Sequence, residues 1–171
     1  MTDNILFALL IVSALSWNLA SSSAQTKPGE KAYPVGPLSQ DEVMTFNPEY
    51  RQRVVSYKPK RGAIDFLRHF SAPVTIEVFY GGWCSDSRDH VPSFIKVIEQ
   101  ADNPNFSVSF VAVDENKQEP GGSTQWRHIE RVPTFVVSVA GREIGRIIET
   151  PKGTVEEHLV KILKLAARQP R

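Results

Sequence analysis

Apolar residues change their spacing along the chain, and each change marks a new element. The run Val74–Tyr80 (VTIEVFY) is dense in β-branched and aromatic residues and predicts a buried strand. Over 87–100 the spacing becomes helical, with Phe94, Ile95, Val97 and Ile98 on the buried side. Residues 107–113 (SVSFVAV) predict a second strand, ended by Asp114, Glu115 and Asn116. A loop over 118–123 (QEPGGS) leads into a short helix over 124–129. Thr134–Val139 and 143–148 then flank Ala140-Gly141-Arg142, which reads as a tight hairpin. Finally, 154–167 places Val155, Leu159, Ile162, Leu163 and Ala166 along one helical face. The order βαβαββα implies a central sheet with helices on both sides.

Upstream of these runs the signals are helix starts. Ser39-Gln40-Asp41-Glu42 has capping-box spacing, in which a serine hydroxyl and a glutamate carboxylate satisfy free backbone donors reciprocally. Asn47-Pro48-Glu49 reads as a cap followed by proline at the first helical position, with Tyr50, Val54 and Tyr57 on one face. A third helix over 60–70 would bury Ile64 and Leu67, flanked by Phe66 and Phe70. Their expected task is to pack on the domain that follows.

The first residues read as an address. Residues 5–15 (ILFALLIVSAL) are too short to span a bilayer comfortably and lead to Ser22-Ser23-Ala24, so 1–24 reads as a secretory signal peptide cleaved after Ala24. The leading MTDN carries no Lys or Arg, and the alternative is an uncleaved membrane anchor continuing to Ala20. The expected location is therefore exported and periplasmic, without stable membrane insertion once the signal is removed. Residues 25–38 hold Pro and Gly without apolar periodicity and read as a linker or an arm laid on the surface. A helical extension over 39–60 and a domain over 61–171 complete the division.

Composition limits what such a chain can do. With 171 residues and 41% hydrophobic content, one core plus appendages is expected, and the protein should be a monomer. A net charge of +1, with acids and bases interspersed, offers no stripe for nucleic acid. His69, His90, His128 and His158 lack ligand spacing, so no metal and no other cofactor is expected, and the histidines read as surface or capping groups. The single cysteine, Cys84, cannot form an internal disulfide. In an exported chain it is either a buried small hydrophobe or a thiol that meets partners.

From about Arg61 onward, the motifs resemble the thioredoxin fold. Trp83-Cys84 at the strand-to-helix junction is similar to that family's W-C-x-x-C, and Pro92 stands where thioredoxins carry a kink-forming proline. Val132-Pro133-Thr134 is similar to the family's Ile-Pro-Thr, whose proline is cis and faces the reactive cysteine; Gly141 and Pro151-Lys152-Gly153 match as well. W-C-x-D-S followed by R-V-P-T-F further resembles a set of bacterial exported thioredoxin-like proteins with one cysteine. The resemblance implies an α/β fold of three layers, α/β/α, with a mixed central sheet.

Departures from the family are as informative as matches. Ser87 stands in place of the resolving cysteine, while Val78 and Phe110 occupy the places of a buried Asp and Lys that manage the proton when the second thiol attacks. Glu77 lies next door, but strand alternation sends it to the other face. What survives serves a first attack. A helix N-terminus favours a thiolate at Cys84, Ser87 offers the sulfur a hydroxyl, and Arg88 opposes the unfavourable charge of Asp86.

The expected chemistry is therefore exchange by Cys84 with protein or low-molecular-weight disulfides, through a mixed disulfide that an external thiol resolves. Trp83 would shield the sulfur, and the backbone at Val132, Pro133 and Thr134 would hold an extended substrate. Arg131 reads either as the partner of a carboxylate, of glutathione or a peptide, or as a solvated charge. The competing expectation is a redox-silent binding module in which Cys84 is packing. A cluster-holding monothiol glutaredoxin and a peroxide-reducing cysteine fit less well. Ser85-Asp86 lacks the glycine and aromatic of the first, and Gly81 stands where the second wants Thr or Ser.

Overall fold

The computed structural model describes residues 33–167. Within them a five-stranded sheet has the order β1-β3-β2-β4-β5, built from β1 (Gly36–Leu38), β2 (Val74–Tyr80), β3 (Phe106–Ala112), β4 (Thr134–Val139) and β5 (Arg142–Ile148). Strand β2 is central, parallel to β3 and antiparallel to β4. Ala140 and Gly141, both at positive φ, turn β4 into β5, as a two-residue hairpin requires. The signal-peptide reading, its membrane-anchor alternative and residues 25–32 of the linker lie outside the described residues.

Six helices accompany the sheet among the described residues: α1 (Gln40–Phe46), α2 (Glu49–Ser56), α3 (Arg61–Arg68), α4 (Ser85–Ala101), α5 (Ser123–Trp126) and α6 (Val155–Ala167). They are shared unequally between the faces. Helices α2 and α3 pack on α4, and α3 and α4 on α6; together with Val43 of α1 they form one large core against Ile76, Val78, Tyr80, Phe135 and Ile147 of the sheet. The opposite face carries α5 and a smaller core of Phe79, Val111, Val113, Ile129, Val132 and Val136. That core covers the C-terminal ends of β2 and β3, while Thr75, Ser107 and Ser109 near their starts face solvent. The second layer is thin because the chain between β3 and β4 spends its length on turns, with Lys117 and His128 at positive φ.

Two details differ from the sequence reading. Gly36–Leu38, within the stretch read as a linker, pairs antiparallel with β3 and closes its edge; an edge is where Pro37 can sit without breaking a ladder. Asn47 does not cap α2. Its side-chain Nδ2 donates to the Val43 carbonyl at 2.9 Å and closes the end of α1 instead. The Ser39–Glu42 capping box forms as expected.

A buried carboxylate ties the helical extension to the domain. Glu156 in the first turn of α6 is fully buried, accepts the Tyr57 hydroxyl at 2.8 Å and the Lys60 N–H at 3.0 Å. Hydrogen bonds to both oxygens offset the cost of taking this carboxyl group out of water. With its mixed sheet and flanking helices, the chain has the α/β thioredoxin fold, preceded by a helical part that shares its core.

Candidate active site

Strand β2 delivers the chain to Tyr80, and Gly81-Gly82-Trp83 carries it to α4. Cys84 is the N-cap residue of that helix, extended at φ −81° and ψ 130°. Its N–H donates to the Gly81 carbonyl at 3.0 Å, and its carbonyl accepts the Arg88 N–H at 3.1 Å. The N-cap position sets the sulfur beside first-turn N–H groups that lack helical acceptors, where negative charge is favoured. Asp86, in the same turn, opposes this.

The thiol is half-buried and donates to the Val132 carbonyl at 3.2 Å. The Val132–Pro133 peptide is cis, and Val132 and Thr134 are both buried. The Val132 N–H donates to no backbone acceptor among the described residues, so this loop offers one free backbone donor beside the sulfur. Cys84 and the loop are thus brought together.

Trp83 is fixed from two sides. Its indole Nε1 donates to the Val113 carbonyl at 3.0 Å, and its ring lies where a Cβ on Gly81 would stand, 2.5 Å from Cε2. Gly82 is equally confined, since a Cβ there would come within 2.2 Å of the Tyr33 ring. The turn before Cys84 therefore needs both glycines for space. Tyr33, a lone aromatic among prolines and glycines, escaped the sequence reading; nothing periodic marks it.

Ser87 has a different role from the one expected. It is fully buried, and its Oγ accepts the Gly81 N–H at 3.2 Å; no hydrogen bond joins it to the sulfur among the described residues. The hydroxyl fastens the glycine turn to the helix. Of the two readings of Arg131, the solvated charge fits: its side chain is exposed and its Nη1 is paired with Glu149 at 2.8 Å. The hydrogen bond and charge of that carboxylate push the guanidinium pKa up.

Beneath the helix the proton-handling places are apolar. Val78 and Phe110 are register partners on β2 and β3, and both are buried. The β2–β3 register runs without a break from Val74 to Tyr80, so Glu77 does lie on the opposite face, ion-paired with Arg127. On the α4 side Tyr50 and Tyr80 are buried, and their phenols are pushed well above the ordinary range by that burial. His69 Nδ1 donates to the Asp65 carbonyl at 2.8 Å, and His158 Nδ1 accepts the Lys152 N–H at 3.0 Å, local capping contacts both. No cluster of metal-ligating side chains occurs among the described residues.

Solved structures with this architecture include a protein of unknown function from Pseudomonas aeruginosa, with TM-score 0.52 and 15% identity over 76% of this chain and 86% of that chain. An HIV epitope-scaffold protein is similar, with TM-score 0.53 and 14% identity over 78% of this chain and 88% of that one. At such identities the likeness is one of fold. No curated protein matches the sequence. A family model described as Thioredoxin matches residues 41–164, a span that takes in most of α1, the Trp83-Cys84 turn, the cis-proline loop and most of α6. With that match over most of its length, the chain belongs to the thioredoxin family.

Proposed function

We propose that this protein is an exported, periplasmic monothiol exchange protein, one of the single-cysteine thioredoxin-like set that its W-C-x-D-S motif resembles. The observation that carries the reading is Cys84 Sγ at the N-cap of α4, half-buried and 3.2 Å from the Val132 carbonyl. A thiolate formed there loses its hydrogen bond to the carbonyl and turns to the first-turn N–H groups. It attacks one sulfur of a substrate disulfide, forming a Cys84–substrate mixed disulfide and expelling the other sulfur as a thiolate, which takes up the proton. A free thiol outside this chain then attacks the mixed disulfide and regenerates Cys84. Ser87, Val78 and Phe110 leave no group in the chain for that second step.

Thiol trapping tests the reading directly. Wild type is expected to accumulate covalent adducts that a reductant releases, and Cys84→Ala to accumulate none. Equal adduct patterns for the two proteins would end the proposal. The hydrogen bond from Sγ to the Val132 carbonyl supports a second reading, a redox-silent binding module in which that bond holds Cys84 as packing. Native-state alkylation separates them: fast labelling of Cys84 belongs to exchange, and labelling only after unfolding belongs to the silent module.

A further inference from the structure

One cleft beside Trp83 has no part in the chemistry above. It encloses about 180 Å³ and is lined chiefly by polar groups, among them Lys117, Gln118, Gln125, His128 and Glu130. Two contacts connect it to the thiol. Ile129, part of its wall, belongs to the small core against which Trp83 and Cys84 pack. Lys117 Nζ stands over the Trp83 ring, 5.9 Å from its centroid.

The cation at the cleft has no carboxylate partner among the described residues, a state it shares with Arg88 in the first turn of α4. Arg131 is held by Glu149 and Arg127 by Glu77, whereas Lys117 forms no ion pair among the described residues. Its place is fixed by the backbone: the Lys117 N–H donates to the Asp114 carbonyl at 3.0 Å, and the Gln118 N–H to Asp114 Oδ1 at 2.8 Å. Across the cleft, Gln125 Nε2 donates to Gln118 Oε1. Glu119, which accepts the backbone N–H groups of Gly121 and Ser123, holds the start of α5 beneath it.

We propose that this cleft receives a carboxylate carried close in sequence to the sulfur that Cys84 attacks, with Lys117 as counter-charge. The inference rests on the exchange reading and assigns its substrate preference. Trp83 precedes Cys84 in the chain and carries Lys117 Nζ 5.9 Å from its ring centroid, so an extended segment bound at the sulfur and advancing about 3.3–3.6 Å per residue is directed past the indole toward Lys117 within a few residues. The cis-proline loop positions the backbone; the cleft reads the charge. Glu130 makes the preference one for a single acid rather than an acidic run. An acidic side chain of a partner protein and a carboxylate of glutathione share this chemistry.

The experiment measures the rate at which the full chain forms a mixed disulfide with three peptide disulfides that differ only two residues from the cysteine, where they carry Glu, Gln or Lys; glutathione disulfide is a fourth arm. At low salt the Glu peptide is expected to react about three- to fivefold faster than the Gln peptide and the Lys peptide slower, as exposed charge steering gives. Lys117→Gln should erase the ranking and Lys117→Glu invert it, while Arg131→Gln keeps it. The Gln peptide serves as an internal control for an intact site in every variant. Dependence on Lys117 for the peptides assigns a protein partner, and for glutathione disulfide alone a small-molecule one. An unchanged Glu-to-Gln ratio in Lys117→Glu, with the Gln peptide still reacting, overturns the cleft while leaving exchange intact. A wild type that reacts with none of the four overturns exchange itself, and the cleft's assignment with it.

Discussion

Replacing Ser87 with alanine leaves the buried Gly81 N–H without its acceptor. Because a buried donor then loses water and partner alike, the fold should lose about 1–3 kcal/mol in urea denaturation. The alkylation rate of Cys84 should follow the same pH profile as wild type, since no hydrogen bond links Ser87 to the sulfur. A shifted profile in Ser87→Ala would return Ser87 to the chemistry. Gly82 makes a second case at this scale, because its missing side chain is filled by the Tyr33 ring. Gly82→Ala should destabilise wild type clearly and a Tyr33→Ala background much less, so a double-mutant cycle should show coupling of about 0.5–3 kcal/mol. Cys84, Trp83 and the Val132-Pro133-Thr134 loop were legible in the sequence because each sits in a motif of fixed spacing. Ser87 was legible as a position but not as a role, and Arg131 only as two open readings: their partners, Gly81 N–H and the Glu149 carboxylate, are chosen by the folded chain. Tyr33 and Lys117 belong to no motif, and only the packing around Trp83 makes them neighbours of the site.

At the scale of elements, the strands had announced the unequal layers. In Val74–Tyr80 and Phe106–Ala112 the burial alternates over the first four residues and is continuous over the last three. A strand that alternates has one face in water, and a continuous run has both faces covered. The open half of the sheet was therefore written in Thr75, Ser107 and Ser109. Which helices cover the other face was not, since helical periodicity says that a face is buried but not against what. The junction of α6 with the extension carries a pH test. Lys60 and then Thr154 hydrogen-bond the Glu157 carboxylate and hold its pKa down to about 2, against an ordinary 4.5. A folded-state value below the unfolded one gives stability that is complete above about pH 4.5 and is lost as pH falls toward 2. Wild type should thus exceed Glu157→Gln in urea midpoint at pH 7, and the gap should close as pH falls from 4.5 toward 2. A gap that does not change with pH would mean that the glutamine shape, and not the charge, is what α6 misses.

At the scale of the whole molecule, the domain boundary suggested at Arg61 does not coincide with the edge of the core. Val43 and Tyr50 are wholly buried and Val54 nearly so, all in the same core as α4 and α6. Each large apolar side chain so buried contributes about 1.5–3 kcal/mol, against a net stability for a domain of this size of about 5–15 kcal/mol. Residues before Arg61 also supply β1, which closes the edge of β3, and the Tyr57 hydroxyl and Lys60 N–H that satisfy buried Glu156. A fragment starting at Arg61 loses all of these together. It uncovers the side of α4, frees a sheet edge prone to intermolecular pairing and leaves a buried carboxylate without its donors. Such a fragment should lose the sigmoidal urea transition and near-ultraviolet circular dichroism of the full chain, and it should aggregate at micromolar concentration. Restoring residues 33–60 as part of the same chain should recover both signals. A fragment from Arg61 that unfolds cooperatively at the wild-type midpoint would make the extension an appendage, and would place the energy that holds α4 and its Cys84 wholly within β2–β5, α3 and α6.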